Sequence, residues 1–252
     1  MTDIIPLSEK LYRTGMELAI QKKDYKNAIL LLKLSKLDNW ETLNNIGVCY
    51  ERLHQYKKAA EYYLKSNCNI GRQNYVLLAR YNKIDIDSNF YRICEELIKD
   101  GDVLGYTTFT DFYCRRKKFR DLGLALKYAE EGFKALPNHP TAIFNYAWCL
   151  YFCDQKEKSH EIYYLVVSNP SYEHEDVYGV AAHNYAYHFL KGIGCKKDIS
   201  KSIYWFIKSF EAGYINSAKD LADIFYLEKS VKNEQLYNFW ANKYQEARSK
   251  KH

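Results

Sequence analysis

Histidines, cysteines and paired carboxylates are the residues of this chain best suited to chemistry, and their spacing decides whether they could act together. Seven histidines are present, and His174 stands among Glu173, Glu175 and Asp176, with His183 and His188 downstream. Imidazole nitrogens and carboxylate oxygens ligate metals, but a tight site needs them to converge. On a helix, His183 and His188 turn about 140° away from each other, so the sequence predicts no metal site. The acidic run Glu173 to Asp176 suits instead the positive end of a helix beginning near Val177. Cys149 and Cys153 fall one turn apart on a helix read as Thr141 to Phe152. Trp148, Leu150, Tyr151 and Phe152 surround them with apolar side chains, which raise rather than lower a thiol pKa. Core packing is the expectation for this pair. Glu95 and Glu96, like Glu130 and Glu131, are adjacent on helices and point about 100° apart, so neither pair converges on a substrate.

Signatures of phosphate loops, nucleophile elbows and H-E-x-x-H metal helices are missing. Gly192-Ile193-Gly194 lacks the preceding strand of a dinucleotide site and reads as a loop. No catalytic residue, metal or cofactor is expected, and the chain is read as a non-enzyme.

The chain has 252 residues, 47% hydrophobic and 16% aromatic, with only 11 glycines and 4 prolines, a composition that favours helices over the many turns of a sandwich or barrel. A net charge of +6 is only mildly basic, below what dedicated nucleic-acid binders carry. Met1 to Lys10 has no leader pattern, and the longest apolar stretch, Ala142 to Cys153, is too short to span a bilayer. Seven scattered cysteines without a Cys-x-x-Cys motif read as reduced thiols, so a cytoplasmic location is expected.

The chain also repeats itself. Lys22 to Leu32, His54 to Leu64 and Asp198 to Ile207 each place a small residue, Ala28, Ala59 or Ser202, three positions after a hydrophobic one, and Leu32, Tyr63 or Trp205 follows. Weaker copies centre on Ile93, Ala125 and Ser159, and successive centres lie 31, 34, 32, 34 and 43 residues apart. Each stretch follows another helical pattern, such as Thr42 to Leu53 with Leu43, Ile46, Gly47 and Tyr50 on one face. Polar turns join the pairs at Gln21 to Asp24, Leu53 to Gln55, Asn82 to Ser88, Arg115 to Lys118, Asp154 to Gln155 and Gly192 to Asp198. The last pair runs from Ile215 to a basic tail, Arg248 to His252. A small residue at such a centre, as at Ala59, lets two helix axes approach within about 8–10 Å.

Thr42 to Ser66 resembles a tetratricopeptide repeat, with Leu43, Ile46, Gly47, Tyr50, Ala59 and Tyr63 on its signature positions. Ala181 to Phe225 is similar to the Sel1-like variety through Ala181, Phe189, Gly192, Gly194, Asp198, Lys201, Trp205, Phe206, Lys208, Gly213, Leu221 and Phe225. The resemblance implies an all-α fold, a right-handed α-α superhelix or solenoid of about seven helix pairs. It implies one array over 1–252, with repeats near 8–38, 40–68, 71–100, 103–137, 139–170, 176–213 and 215–252. Gly192 and Gly194 are expected to supply a helix cap and a positive-φ turn.

The resemblance also implies a non-catalytic protein-binding scaffold, an adaptor or chaperone-like module, whose partner is another protein. The alternative is a bacterial immunity protein that neutralises a toxin or effector. RNA binding and metal-dependent catalysis rank lower. In such arrays the first helix of each pair lines a groove, through positions three before and one and four after its small residue. Taking Ala147, these are Phe144, Trp148 and Tyr151; taking Ala186, they are His183, Tyr187 and Leu190. In the first two repeats they are Arg13, Glu17 and Ile20, then Asn44, Val48 and Glu51, which depart from the Lys and Asn set that clamps acidic chaperone tails. Large aromatics anchor protein interfaces, although a helix carrying Tyr146, Trp148, Leu150, Tyr151 and Phe152 also reads as inter-repeat core. A second candidate surface is basic: Lys22, Lys23, Lys57, Lys58, Arg115, Arg116, Lys117, Lys118, Arg120, Lys196 and Lys197 sit in the turns within pairs, suited either to an acidic partner or to plain solvation.

Overall fold

A computed structural model describes residues 5–250; Lys251 and His252 of the basic tail, and the first four residues, lie outside the described residues. The described chain is all-helical, in hairpins: α1 (Leu7–Ile20) with α2 (Tyr25–Leu34), α3 (Trp40–Arg52) with α4 (Tyr56–Ser66), α5 (Asn69–Arg80) with α6 (Ser88–Lys99) and α7 (Val103–Arg115) with α8 (Leu122–Ala135). The series continues with α9 (Pro140–Phe152) and α10 (Lys156–Val167), α11 (Asp176–Lys191) and α12 (Ile199–Glu211), and α13 (Asn216–Leu227) and α14 (Glu234–Ser249). No strand occurs among the described residues. Two compact units divide the chain at Thr108 and Phe109, inside α7.

In the first unit, small residues sit where helices cross. Ala28 and Ala59 are fully buried, and at Gly47 an added Cβ would lie 2.6 Å from the Tyr63 ring. The second helices α2 and α6 start on side-chain caps, which occupy backbone N–H groups that have no intrahelical partner. Asp24 accepts from the Asn27 amide at 3.3 Å, and Asp87 from that of Phe90 at 3.1 Å. The turn after α3 closes with His54 N donating to Glu51 O and Gln55 N to Tyr50 O, and the turn after α5 repeats the pattern through Asn82 and Lys83. This paired closure needs a left-handed residue. His54 and Asn82 hold it at φ 58° and 57° without being glycine.

In the second unit the same logic uses serine. Ser159 and Ser202 occupy the small positions of α10 and α12 and are fully buried. The Ser159 hydroxyl donates to the Ala147 carbonyl of α9 at 2.7 Å. Ser209 donates likewise to Gly179 of α11 at 2.6 Å. One core forms from Ile143, Ala147, Tyr163, Val166, Tyr178, Ala182 and Tyr185, a second from Ala186, Phe206, Leu221 and Phe225. The loop after α11 turns through Gly192 and Gly194 at φ 68° and 65°. At Gly194 a Cβ would also collide with the Lys156 backbone carbonyl.

Candidate functional site

The second unit holds a cavity of about 270 Å³ walled by the first helices of two consecutive hairpins, α9 and α11. Trp148, Tyr151 and Phe152 come from α9, and His183, Asn184, Tyr187 and His188 from α11. Tyr163 reaches in from α10. Trp148, Tyr151, His183 and Tyr187 stand at the register positions that the repeat pattern assigns to a groove. The other two positions do not line the cavity. Phe144 packs on the core with its ring 5.9 Å from that of Tyr163. Leu190 corrects the sequence reading: it is only 9% exposed and belongs to the core around Phe206 and Leu221.

The walls are aromatic and largely set by neighbours. The Arg115 guanidinium lies 4.6 Å from the Trp148 ring centroid, and Phe152 packs 4.5 Å from the same ring. Lys191 Nζ lies 5.8 Å from the Tyr187 centroid, and Tyr187 is 37% exposed. Both rings thus already carry a cation on the protein's own side. His183 is held by Asp220 of α13, with Nε2 2.8 Å from Oδ2, and packs against Phe206 and Tyr214.

The floor is polar and buried. The Tyr163 hydroxyl accepts a 3.0 Å bond from Asn184 Nδ2. His188 is 2% exposed, and its Nδ1 has no hydrogen-bond partner. Its ring is parallel within 17° to that of His160, centroids 5.6 Å apart, and meets the Tyr163 ring edge-on at 5.4 Å. Burial, then proximity to His160, pushes the His188 pKa down to about 4. Burial, then the charge of Lys201, lowers that of His160. Both imidazoles are therefore neutral near pH 7.

Sequence reasoning weighed His188 only as a metal ligand and did not select Tyr163 or Asn184. A signal existed for Tyr163, which lies four residues after Ser159 as Tyr63 lies four after Ala59. In the first unit Tyr63 likewise reaches a first helix, donating to Glu51 at 2.6 Å. That unit has a second cavity of about 560 Å³, lined by Met16, Ile20, Lys23, Asn45, Val48 and Arg52 among others. Ile20 and Val48 were expected there. Arg13 is paired with Glu9, and Asn44 is buried, accepting from Asn74 at 3.1 Å.

Several turn cations are engaged locally. Arg115 pairs with Asp111 at 2.7 Å as well as covering Trp148. Lys117 and Lys118 lie in a single 3-10 turn, Lys117–Phe119, where Lys118 sits 5.4 Å over the Phe119 ring and Phe119 stacks on Phe112. Arg116 precedes that turn. Lys58 donates to Gln55 and Lys197 to Glu228.

No family model matches the sequence, and no curated protein matches it. Solved structures do match the fold. A Sel1 repeat protein from Oxalobacter formigenes is similar with a TM-score of 0.63 at 18% identity, over 94% of this chain and 99% of that one. The C-terminal part of a TPR repeat-containing protein from Cytophaga hutchinsonii is similar at 0.60 and 12%, over 94% and 95%. The fold is that of the tetratricopeptide and Sel1-like repeats. The human IFIT1 dimer with PPP-AAAA also matches, at 0.62 and 16%, over 96% of this chain and 61% of that protein.

Within this Sel1-like fold Cys114 and Cys149 belong to one packed core. Cys149 is buried and hydrogen-bonded with Cys114, a partner from α7 that sequence spacing did not reveal. The bond to Cys114 and burial push the Cys149 pKa up. Among the described residues no group of three or more histidines, cysteines and carboxylates is arranged to hold a metal, and no helix is long and apolar enough to cross a membrane.

Proposed function

We propose that the chain is a non-catalytic protein-binding scaffold that seats a partner protein on the groove between α9 and α11. One observation carries this reading: groove positions of two successive repeats, Trp148 and Tyr151 from one and His183 and Tyr187 from the next, surround a single cavity. Aromatic side chains held by their neighbours lose little freedom when covered, which is why they dominate binding energy at interfaces. Arg116, Lys117 and Lys118 follow directly on Arg115, whose guanidinium covers Trp148, and suit a partner with an acidic border. Their part is in steering, so their loss should slow association most at low salt. An adaptor or chaperone-like role is the form of scaffold that this groove fits.

A photo-crosslinking amino acid placed at Tyr187 should trap the partner in cells, whereas the same group at Tyr204, exposed on α12, should not. With the trapped protein purified, Tyr187→Ala should weaken binding by about tenfold or more while circular dichroism stays helical. Trapping from Tyr204 alone, or unchanged affinity in Tyr187→Ala, would refute the groove.

A further inference from the structure

The floor of the α9/α11 cavity holds hydrogen-bonding capacity that the chain does not use. His188 Nδ1 is buried without a partner. The Tyr163 oxygen accepts from Asn184, and its own proton has no acceptor among the described residues. Buried polar groups are nearly always satisfied, and each that is not destabilises the fold. Both side chains line the cavity, so a polar ligand atom seated there can engage them.

We propose, building on the scaffold reading, that this cavity receives a tyrosine side chain of the partner protein, its hydroxyl meeting His188 and Tyr163 and its ring lying among Trp148, Tyr151 and Tyr187. Four observations select that chemistry. A dry cavity of about 150 Å³ holds a benzene ring, so about 270 Å³ has room for a ring with a polar substituent. Arg115 and Lys191 already lie over the Trp148 and Tyr187 rings, so an incoming lysine or arginine would meet like charge. A carboxylate would lose its hydration beside a neutral imidazole with no compensating charge on the floor. A phenol hydroxyl can accept from Tyr163 and donate to a bare imidazole nitrogen, or the reverse. An indole N–H can only donate, and a phenylalanine ring can do neither.

The test uses the full chain and 4-methylphenol, the tyrosine side chain itself, with toluene, 3-methylindole, propylguanidinium and adenosine as comparison probes, titrated by NMR with the His188 ring nitrogens observed. We expect 4-methylphenol to bind about tenfold tighter than toluene, to shift a His188 nitrogen resonance, and to compete with the partner trapped at Tyr187. His188→Phe and Tyr163→Phe should each erase most of the preference. The wild-type selectivity decides the matter even if those variants fail to fold. Equal binding of toluene, tighter binding of propylguanidinium or tighter binding of adenosine would overturn the proposal. So would self-association of this chain that 4-methylphenol dissolves, because the tyrosine would then come from a second copy. If 4-methylphenol does not bind but Tyr187→Ala still weakens partner capture, the scaffold reading survives and the tyrosine seat falls. If it binds but capture ignores Tyr187→Ala, the scaffold reading falls and the partner assignment falls with it.

Discussion

The Arg115 guanidinium sits 4.6 Å from the Trp148 ring centroid while its Nε bonds Asp111 at 2.7 Å. The end of α7 thereby sets the charge on one wall of a cavity built by α9 and α11. A ring face engaged by one cation is a poorer host for another. In Arg115→Gln, propylguanidinium should bind about fivefold tighter than to wild type, and urea denaturation should show a stability loss below about 1 kcal/mol, as for an exposed ion pair. Unchanged guanidinium affinity would mean that Arg115 does not govern what the cavity admits.

Burial of neutral His188 makes stability depend on pH. Its pKa falls from 6.5 to about 4 on folding, so as pH drops the unfolded chain takes up the proton first. The stabilisation is complete above about 6.5, declines as pH falls towards 4 and is gone below it, amounting to about 3 kcal/mol. Urea melts at pH 7, 6, 5 and 4.5 should show this loss in wild type and a shallower one in His188→Phe. Parallel curves would place the titration elsewhere.

Gly47→Ala tests the crossing of α3 and α4. The new methyl would stand 2.6 Å from the Tyr63 ring, which is fully buried and bonded to Glu51. Overpacking of this kind costs about 1–3 kcal/mol. Thermal denaturation should fall accordingly, and an unchanged midpoint would mean that Tyr63 moves aside freely.

His54→Gly should do the opposite. His54 holds a left-handed turn at φ 58°, a conformation that costs a side chain about 1 kcal/mol and glycine almost nothing. A gain of up to about 1 kcal/mol in urea denaturation is expected, reduced by loss of its exposed 2.8 Å bond to the Tyr56 hydroxyl.

The thiols should divide by burial. Cys49 and Cys94 are buried, and burial raises their pKa values to about 11 and about 12, so both should resist a disulfide reagent at pH 7.5 in the folded protein and react once urea unfolds it. Rapid labelling of either in the native state would show that its helix opens.

The hairpins were legible in the sequence because small residues at Ala28, Ala59, Ser159 and Ser202 must sit where helices cross, and all four are fully buried. The register that follows from Ala147 and Ala186 places Trp148, Tyr151, His183 and Tyr187 together. Leu190 escaped that logic: an aliphatic side chain one turn beyond Ala186 gains more from joining Phe206 and Leu221 than from facing solvent. His188 and Cys114 were hidden because their surroundings come from neighbouring hairpins, which periodicity within one helix does not report. The turns at His54, Asn82 and Asp154 were legible as polar breaks, but their left-handed backbone was not read, because no glycine marks it.

The bond from Ser159 to the Ala147 carbonyl ties α10 to the turn of α9 that carries Trp148 and Tyr151. Tyr163 follows one turn later on α10, so the same bond fixes the floor against one wall. A guest entering there finds its surroundings already arranged, and little ordering remains to be done on arrival. For the proposed seat, affinity should be expressed as long residence, and Ser159→Ala should shorten the stay of a guest without changing a single residue that touches it.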